Sequence, residues 1–537
     1  MKKRQIVNIV NFIRGIEPRA EMDLLQPICE QIALAEKYNF KTTFLIQYDA
    51  LCDEKFVEVL KKLNPTQFEL GVWYEIVEPQ VKKAKLSWRG RFPWDWHAHC
   101  GFSVGYTKEE REILIDILFE DFKDVFGYYP KSFGSWAFDA HSLNYANERY
   151  GLDAACNCKE QWGTDGYNLW GGYYNQGYYP SKFNSLSPAQ SKENQIDTPV
   201  FRMLGSDPIY QYDSGLDINR SGDLCVQGVF TLEPVYTTEA GGGIPEWVDW
   251  YLSENFNEKC INFSYTQAGQ ENSFGWEAMK RGLEYQFEEF AKMVKDGKIE
   301  IETMGETGRW FKESFEYTPA TSIAALTDRL DKGRNSIWYN CRNYRINVFT
   351  EENRFWIRDI YIFREGYKER YLDSVCEKNE LYYDTLPYID GNRFSGNGVR
   401  GGLYPVSCAE MENIKGFKEF LPMSYEEIIY EEEGQNVILT FKGTPCGTVN
   451  IWMEESGIRI ISNKGGIGFV PVYNSNAPGL PQILGKCENV QKFIYNGYEY
   501  NIEVKNGKLC DMGNHKNVIV GDVDISGKCE VSVQLEE

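Results

Sequence analysis

The sequence contains no long apolar segment. No stretch approaches the roughly 18 uninterrupted apolar residues that a membrane-spanning helix needs. The start, MKKRQIVNIVNFIRG, has basic residues, but its apolar run is short, is interrupted by Asn8 and Asn11, and lacks a small-residue cleavage site. We therefore expect a soluble, cytoplasmic protein whose chain begins with a buried strand.

Positive charge is also scarce. The chain of 537 residues has 57 basic and 79 acidic residues, which gives a formal net charge of −22. A chain of this charge repels phosphate backbones and anionic lipid headgroups. We expect neither nucleic acid nor a membrane surface as a partner, whereas the composition allows a homo-oligomer.

The 14 cysteines form no regular framework, and no CxxC pair is present. In the closest pair, Cys156 and Cys158, a single residue separates the two thiols, which is the wrong spacing for a zinc or redox site of that type. Reduced thiols, as in cytosolic proteins, are expected.

A chain of this length exceeds what one hydrophobic core supports, so two or three domains are expected. Up to about residue 318, short β-branched runs alternate with amphipathic helical patterns, which is typical of βα units and a parallel sheet. Strands are predicted at QIVNIVNFI, KTTFLIQY, FELGVWYEI, KSFGSWAF, CINFSYT and KIEIETM. We predict an α/β fold with an irregular (βα) barrel of seven or eight strands over residues 1–318, with a doubly wound sheet as the alternative.

Two further regions differ from this pattern. Residues 160–250 are rich in Gly, Tyr and Asn and form a long insertion of the kind that serves as a lid or binding loop. After about residue 318, period-two strands alternate with Asn-Gly and Lys-Gly turns. We predict an all-β sandwich over residues 319–537, which either covers a flank of the barrel or binds carbohydrate.

Functional residues of a βα barrel follow the carboxyl ends of its strands. After the first strand, RGIEPR places Glu17 between Arg14 and Arg19, which would keep this carboxylate ionised, either in a site or in an ion pair that closes the barrel. After the third strand, Trp73 and Glu75 combine an aromatic ring with a carboxylate, as sugar binding requires. A half-buried strand end would have the same residues.

The segment WDWHAHCGFSVGYT contains two of the four histidines in the chain. Alternate spacing on an extended segment places His97 and His99 on one face, beside Trp96. Such a pair suits either a metal ion or the hydroxyl groups of a sugar. A metal ion would need a third ligand, which the neighbouring sequence does not supply.

A carboxylate pair is needed for glycosidic cleavage. In KSFGSWAFDAHSL a strand ends on Trp136, and Asp139 and His141 follow at the start of a helix. Asp139 suits either a nucleophile or a helix N-cap. Three later residues are candidates for the acid, which apolar neighbours would keep protonated: Glu271, Glu302 and Glu306.

The order of these segments is similar to that of the polysaccharide deacetylase fold. KTTFLIQYDAL and FELGVWYEI resemble its second and third strands, where that family has ATFF and EIGNH, and FGYYPKSFGSW resembles its fourth strand. The chain departs from the family at the metal site, because RGIEPR replaces the aspartate pair of the first strand and Trp73 replaces the first metal histidine. This departure weighs against metal-dependent deacetylation.

Three short motifs resemble glycoside hydrolase family fifty-seven, a related barrel family. IEPR resembles its His-Gln-Pro motif, GSWAFD its Gly-x-Trp-x-x-Glu motif, and QENSFGW the segment near its acid/base aspartate. The resemblance implies Asp139 as nucleophile, Glu271 as acid/base and a retaining mechanism, with each carboxylate changed in length. The layout also resembles bacterial barrel plus β-sandwich proteins to which glycosidase or glucanotransferase activity is attributed.

We therefore predict a glycoside hydrolase or transglycosylase that cleaves an oligosaccharide with Asp139 and Glu271 and needs no cofactor. The expected sugar-binding residues are Arg14, Glu17, Trp73, Glu75, Trp96, His97, His99, Trp136 and His141. One alternative is a sugar deacetylase that uses His97 and His99 with a divalent metal such as zinc. Another is a non-catalytic sugar-binding protein, for which 14 Trp and 35 Tyr supply stacking surface.

Overall fold

The computed structural model describes residues 3–213, 230–411, 421–512 and 515–535. Up to residue 302, the strands within these ranges are β1 (Arg4–Ile13), β2 (Thr42–Ile46), β3 (Phe68–Trp73), β4 (Ser132–Gly134), β5 (Ala154–Asn157), β6 (Gln161–Thr164), β7 (Tyr167–Trp170), β8 (Gly177–Tyr178), β9 (Pro180–Ser181), β10 (Asn184–Pro188), β11 (Val200–Arg202), β12 (Phe263–Ala268) and β13 (Glu300–Glu302). The α-helices are α1 (Gln26–Tyr38), α2 (Tyr48–Leu51), α3 (Glu54–Leu60), α4 (Glu78–Lys83), α5 (Ala98–Gly101), α6 (Lys108–Phe126), α7 (Ala140–Tyr150), α8 (Pro245–Asn255), α9 (Trp276–Lys295), α10 (Met304–Ser314) and α11 (Cys408–Met411).

The first sheet has the order β12-β1-β2-β3-β4-β5-β11-β8, and β13 also pairs with β1. All of these pairs are parallel except the pair of β11 with the short edge strand β8. The two ends of the sheet approach each other, because the ring of Phe201 on β11 lies 4.9 Å from the ring of Tyr265 on β12. Aromatic side chains lie in the gap between these strands, so the sheet is a nearly closed barrel of eight parallel strands, with β13 included.

Helix α6 illustrates how the local sequence determines an element. A reciprocal capping box between Thr107 and Glu110 begins the helix, and Gly127, in the left-handed region at φ 85°, ends it. Leu114, Leu118 and Phe122 face the core, as the apolar periodicity predicts. Within the described ranges no helix combines the length and apolar character needed to cross a membrane.

The described C-terminal residues form mainly strands, which pair antiparallel except for β18, and the short helix α11. The strands are β14 (Thr321–Ala325), β15 (Asn335–Asn340), β16 (Tyr344–Glu351), β17 (Arg354–Ile362), β18 (Leu381–Asp384), β19 (Leu386–Asp390), β20 (Gly402–Ser407), β21 (Glu427–Glu433), β22 (Asn436–Thr444), β23 (Gly447–Glu454), β24 (Gly457–Ser462), β25 (Ile467–Val472), β26 (Gln482–Cys487), β27 (Val490–Tyr495), β28 (Tyr498–Lys505), β29 (Gly507–Met512), β30 (His515–Val523) and β31 (Cys529–Gln534). All of them except β18 belong to one large sheet. Additional pairings such as β24 with β31 and β25 with β30 fold this sheet back on itself. The all-β character is confirmed, and the sandwich arrangement stays a prediction.

The insertion joins the two parts of the chain. Strands β6 and β7 form a hairpin in it, and β18 from the C-terminal part pairs in parallel with β7. Residues 214–229 of the predicted insertion lie outside the described ranges. The boundary near residue 318 stays a prediction, since segments from both sides of it share this small sheet.

Candidate active site

A cavity of about 270 Å³ opens at the carboxyl ends of the barrel strands. Each of five strands contributes a lining residue from the segment that follows it: Arg14 after β1, Trp136 after β4, Lys159 after β5, Leu204 after β11 and Glu271 after β12. The insertion adds Tyr167 from β7, and the loop before α8 adds Glu233. The cavity therefore lies where βα barrels place their active sites.

Arg14 is the central charge of the cavity. Its buried guanidinium donates hydrogen bonds to Glu75 Oε2 at 3.0 Å and to Glu271 Oε1 at 3.2 Å. It also lies 4.0 Å above the ring of Trp94. Burial alone would lower the pKa of Arg14, but Glu271 and Glu75 raise it above its ordinary value. Arg14 therefore remains a cation and fixes the position of both carboxylates.

Glu271 is positioned by the turn after β12. Gly269 begins this turn at φ 107°, and a Cβ atom there would meet the Val10 carbonyl oxygen at 2.1 Å, so only glycine fits. The Asn272 side chain accepts from the Arg14 amide at 2.9 Å and donates to the Arg14 carbonyl at 2.8 Å. Ser273 Oγ donates to Glu271 Oε1 at 2.6 Å. These bonds hold Glu271 and Arg14 in fixed relative positions.

Glu233 is the second carboxylate of the cavity. It is 4% exposed, and it accepts hydrogen bonds from Gln270 Nε2 at 3.2 Å and from Thr231 Oγ1 at 3.0 Å. Burial raises the pKa of Glu233 to about 7, and the nearby Glu271 contributes to this increase. A carboxyl group with this pKa is about half protonated near neutral pH, so it can donate a proton there as a general acid.

The walls of the cavity are aromatic. Trp94, Trp96, Trp136, Tyr167 and Phe274 contribute to its lining. The ring of Trp136 meets that of buried Trp73 edge-on, with centroids 5.5 Å apart. Tyr167 donates from its hydroxyl to the Trp96 carbonyl at 3.1 Å, which connects the insertion to the barrel. Such walls suit the apolar faces of a sugar ring.

The structure brings together five of the residues that the sequence predicts for the site: Arg14, Glu17, Trp96, Trp136 and Glu271. Glu17 forms a bidentate ion pair with Arg19, which lowers the pKa of Glu17 although burial raises it. Glu75 and Trp73 lie directly behind the lining, where Trp73 Nε1 donates to Glu75 at 2.8 Å. Their place in the structure is to hold Arg14.

The two predicted histidines lie beside the cavity and are not part of its lining. The rings of His97 and His99 are 5.9 Å apart, and His97 Nδ1 lies 3.4 Å from Asp95. Arg91 forms an ion pair with the same Asp95. In the described ranges, no three His, Cys, Asp or Glu side chains are grouped so that they could hold a metal ion. The residues present therefore do not fit the site that the deacetylase alternative requires.

Asp139 and His141 lie away from the cavity. Asp139 is completely buried, caps α7 by accepting from the Ser142 amide at 2.8 Å, and pairs with Arg111 at 3.0 Å. Burial raises the pKa of Asp139, but Arg111 lowers it below its ordinary value. His141 pairs with Glu112 at 3.0 Å. The helix-cap alternative for Asp139 matches this geometry, and the residue does not face the carboxylates of the cavity.

The other two candidates for the acid are also engaged elsewhere. Glu302 forms an ion pair with Arg4 and accepts from Thr307 Oγ1 at 3.0 Å. Glu306 completes the capping box of α10 and pairs with Lys41. Of the three predicted glutamates, only Glu271 lines the cavity.

Three charged residues of the lining, Lys159, Asp165 and Glu233, are not predicted from the sequence. Lys159 follows β5, whose four residues AACN are too short and too weakly β-branched for the pattern to identify. The signal that could have identified Lys159 is its position two residues after the end of β5. Glu233 lies in an irregular loop, and nothing in its local sequence distinguishes it from a surface carboxylate.

Comparisons with known proteins agree with the barrel architecture. The domain family DUF3863, described as a domain of unknown function with a solved structure, matches residues 115–322. No curated protein matches the chain at a significant level. The matched segment contains Trp136, Lys159, Glu233 and Glu271.

Solved structures resemble the chain at low identity. A protein from Parabacteroides distasonis, provisionally described as a glycoside hydrolase/deacetylase, aligns at 15% identity with a TM-score of 0.54, over 72% of this chain and 90% of its own. A provisionally described polysaccharide deacetylase from Mycobacterium smegmatis aligns at 11% identity (TM-score 0.36; 58% and 92%). A glycoside hydrolase family fifty-seven branching enzyme from Thermococcus kodakaraensis aligns at 11% identity (TM-score 0.32; 59% and 72%). The first of these alignments shows that the chain shares the fold of the Parabacteroides distasonis protein.

Proposed function

We propose that the protein is a glycoside hydrolase in which Glu233 is the general acid and Glu271 the nucleophile. One observation carries the proposal: two carboxyl groups with different surroundings line one aromatic-walled cavity at the carboxyl ends of the barrel strands. Burial raises the pKa of Glu233 to about 7, so a large fraction of this carboxyl group is protonated near neutral pH. Glu271 instead receives hydrogen bonds from Arg14 and Ser273.

These differences assign the two roles. Protonated Glu233 donates its proton to the oxygen of the leaving group, while the Glu271 carboxylate attacks the anomeric carbon and forms a glycosyl-enzyme intermediate. Glu233, now deprotonated, removes a proton from the water that hydrolyses this intermediate. The retaining course follows the resemblance to family fifty-seven. The proposal differs from the sequence-based prediction in two ways: Glu233 replaces Asp139 in the carboxylate pair, and Glu271 becomes the nucleophile instead of the acid/base.

The test compares wild type with Glu233→Gln, Glu271→Gln and Asp139→Asn on aryl α- and β-glycosides. We expect the wild type to release the aryl group with and without chelator. Both cavity variants should lose activity by several orders of magnitude, because each lacks a group that acts on the reacting atoms. Azide should restore turnover of Glu233→Gln on a substrate with an activated leaving group, since that substrate needs no acid in the first step.

Three outcomes would contradict the proposal. Full activity of Glu233→Gln would remove the assigned acid. Chelator-sensitive release of acetate from acetylated sugars would favour the deacetylase alternative. Binding of sugars without turnover by any form of the protein would favour the non-catalytic alternative.

A further inference from the structure

Lys159 is a charged residue of the cavity that the proposed mechanism does not use. Its side chain lines the cavity, and the residue is 1% exposed. Nζ donates one hydrogen bond, to the Glu160 carbonyl oxygen at 3.0 Å. Throughout the described ranges, no carboxylate oxygen lies within the 4.0 Å that defines an ion pair with this nitrogen. An ammonium group has more N–H donors than this single bond uses.

A buried ammonium in this state is costly to the fold. Burying a charge without a direct counter-ion is unfavourable, and burial accordingly lowers the pKa of Lys159 to about 8. The ionisable groups whose charges act on Lys159 are Cys158, Glu160, Arg202 and Glu233. An apolar side chain of similar length would fill this position without the free-energy cost of burying a charge. A ligand that accepts hydrogen bonds from the remaining N–H donors of Lys159 therefore explains the lysine better.

Lys159 also faces the proposed acid. Glu233 accepts hydrogen bonds from Gln270 and Thr231. The positive charge of Lys159 lowers the pKa of Glu233 and so opposes the effect of burial. The ionisable groups that interact with Glu233 include Lys159, Glu271, Cys158 and Tyr236. Lys159 is the cation among these groups, so its removal shifts the protonation equilibrium of Glu233 toward the neutral carboxyl group.

We propose that Lys159 is a substrate-contacting residue, whose ammonium donates to an oxygen atom of the bound sugar and whose charge acts on Glu233. The inference rests on the proposed function and deepens it. Two kinds of sugar supply such an oxygen: a neutral sugar through a hydroxyl group and a uronic acid through its carboxylate. Arg14 and Arg19 are already engaged by Glu75, Glu271 and Glu17. Lys159 is therefore a lining cation that has no carboxylate within ion-pair distance in the described ranges, and its remaining N–H donors are available to a ligand.

The test compares Lys159→Met, Lys159→Arg and wild type. Calorimetry measures the binding of the methyl glycosides of glucose and of glucuronic acid. We expect Lys159→Met to bind the preferred sugar at least about tenfold more weakly, because a hydrogen bond from a charged donor is lost. Lys159→Arg should retain part of the affinity. A larger effect on glucuronides identifies a carboxylate as the partner, and a larger effect on glucosides identifies a hydroxyl group.

A second measurement follows Glu233 directly by carbon-13 NMR of labelled glutamate, with its signal assigned by its absence in Glu233→Gln. Removal of a positive charge favours the neutral carboxyl group, so Lys159→Met should raise the pKa of Glu233, whereas Lys159→Arg should not. Where the wild type is active, the fall of kcat/KM on the basic side should move to higher pH in Lys159→Met for the same reason.

Lys312→Met is the matched control. Lys312 is partly buried, and like Lys159 it has a lowered pKa and donates to a backbone carbonyl, that of Leu152, but it does not line this cavity. This variant should leave sugar binding and the Glu233 titration unchanged. Equal sugar affinity in wild type and Lys159→Met, or an unchanged Glu233 titration, overturns the inference. Sugar binding without turnover in the wild type instead counts against the proposed function, while the Lys159 comparison still stands.

Discussion

At the scale of single residues, the site depends on Arg14, which connects two carboxylates that would otherwise be buried without a counter-charge. Glu75 and Glu271 both receive hydrogen bonds from its guanidinium, and all three side chains are at most 5% exposed. Breaking a buried ion pair by removal of one partner is far more costly than breaking an exposed one, because an uncompensated charge remains.

Arg14→Met should therefore destabilise the protein by about 3–5 kcal/mol. Denaturant unfolding measures the free energy, and the loss should be larger at alkaline than at acidic pH, because protonation of the two carboxyl groups relieves the unpaired charge. Arg19→Met is the control, since Arg19 is 45% exposed in its pair with Glu17 and should contribute no more than about 1 kcal/mol. Similar losses in both variants would contradict the central role of Arg14.

At the scale of elements, the start of α7 allows the two interpretations of Asp139, nucleophile and helix N-cap, to be distinguished. The structure has Asp139 as a buried cap paired with Arg111, and Arg111 also donates to the carbonyl groups of Tyr106 and Tyr371. Asparagine is an equally good cap, but it supplies no counter-charge for Arg111.

Asp139→Asn should therefore reduce the free energy of unfolding by about 3 kcal/mol, and the protein that remains folded should keep its kcat. The control is Asp53→Asn at the more exposed N-cap of α3, where the loss should be no more than about 1 kcal/mol. A stable Asp139→Asn protein whose kcat falls by orders of magnitude would restore Asp139 as the nucleophile.

The elements also show what the sequence could predict. The sequence predicts β1, β2 and β3 from their β-branched runs. It predicts helix α6 from its apolar periodicity together with a cap at each end. β5 and β11 are four and three residues long, which is too short for a periodicity to appear. Arg14 and Glu271 were identified because each lies within three residues of the end of a recognised strand. Glu233 was missed because the loop that carries it is placed by tertiary contacts, such as the bond from Gln270.

At the scale of the whole molecule, the two parts of the chain share their cores. One continuous cluster of buried apolar side chains contains Phe44 of the barrel and Phe349 of the C-terminal part. Another cluster contains Trp73 of the barrel together with Leu381 and Tyr383 of β18. The sequence could predict the composition of each part, but it contains no local signal for packing between segments so far apart.

These shared cores predict that the protein unfolds in one step. Scanning calorimetry should give a single transition, and the calorimetric enthalpy should equal the van't Hoff enthalpy, because loss of one part exposes apolar surface of the other. Two separated transitions would instead show that the parts are independently stable, as the sequence-based division near residue 318 predicts.

The pairing of β18 with β7 has a consequence for synthesis of the chain. Asn168 beside the cavity wall donates to the Leu381 carbonyl, 213 residues further along the chain. A ribosome needs roughly ten to forty seconds to add that many residues. During that time the barrel strands are already available to pair, while the hairpin that carries Tyr167 lacks its third strand. The cavity is therefore completed late in translation, and a nascent chain released before β18 has emerged contains the carboxylates without one of the cavity walls.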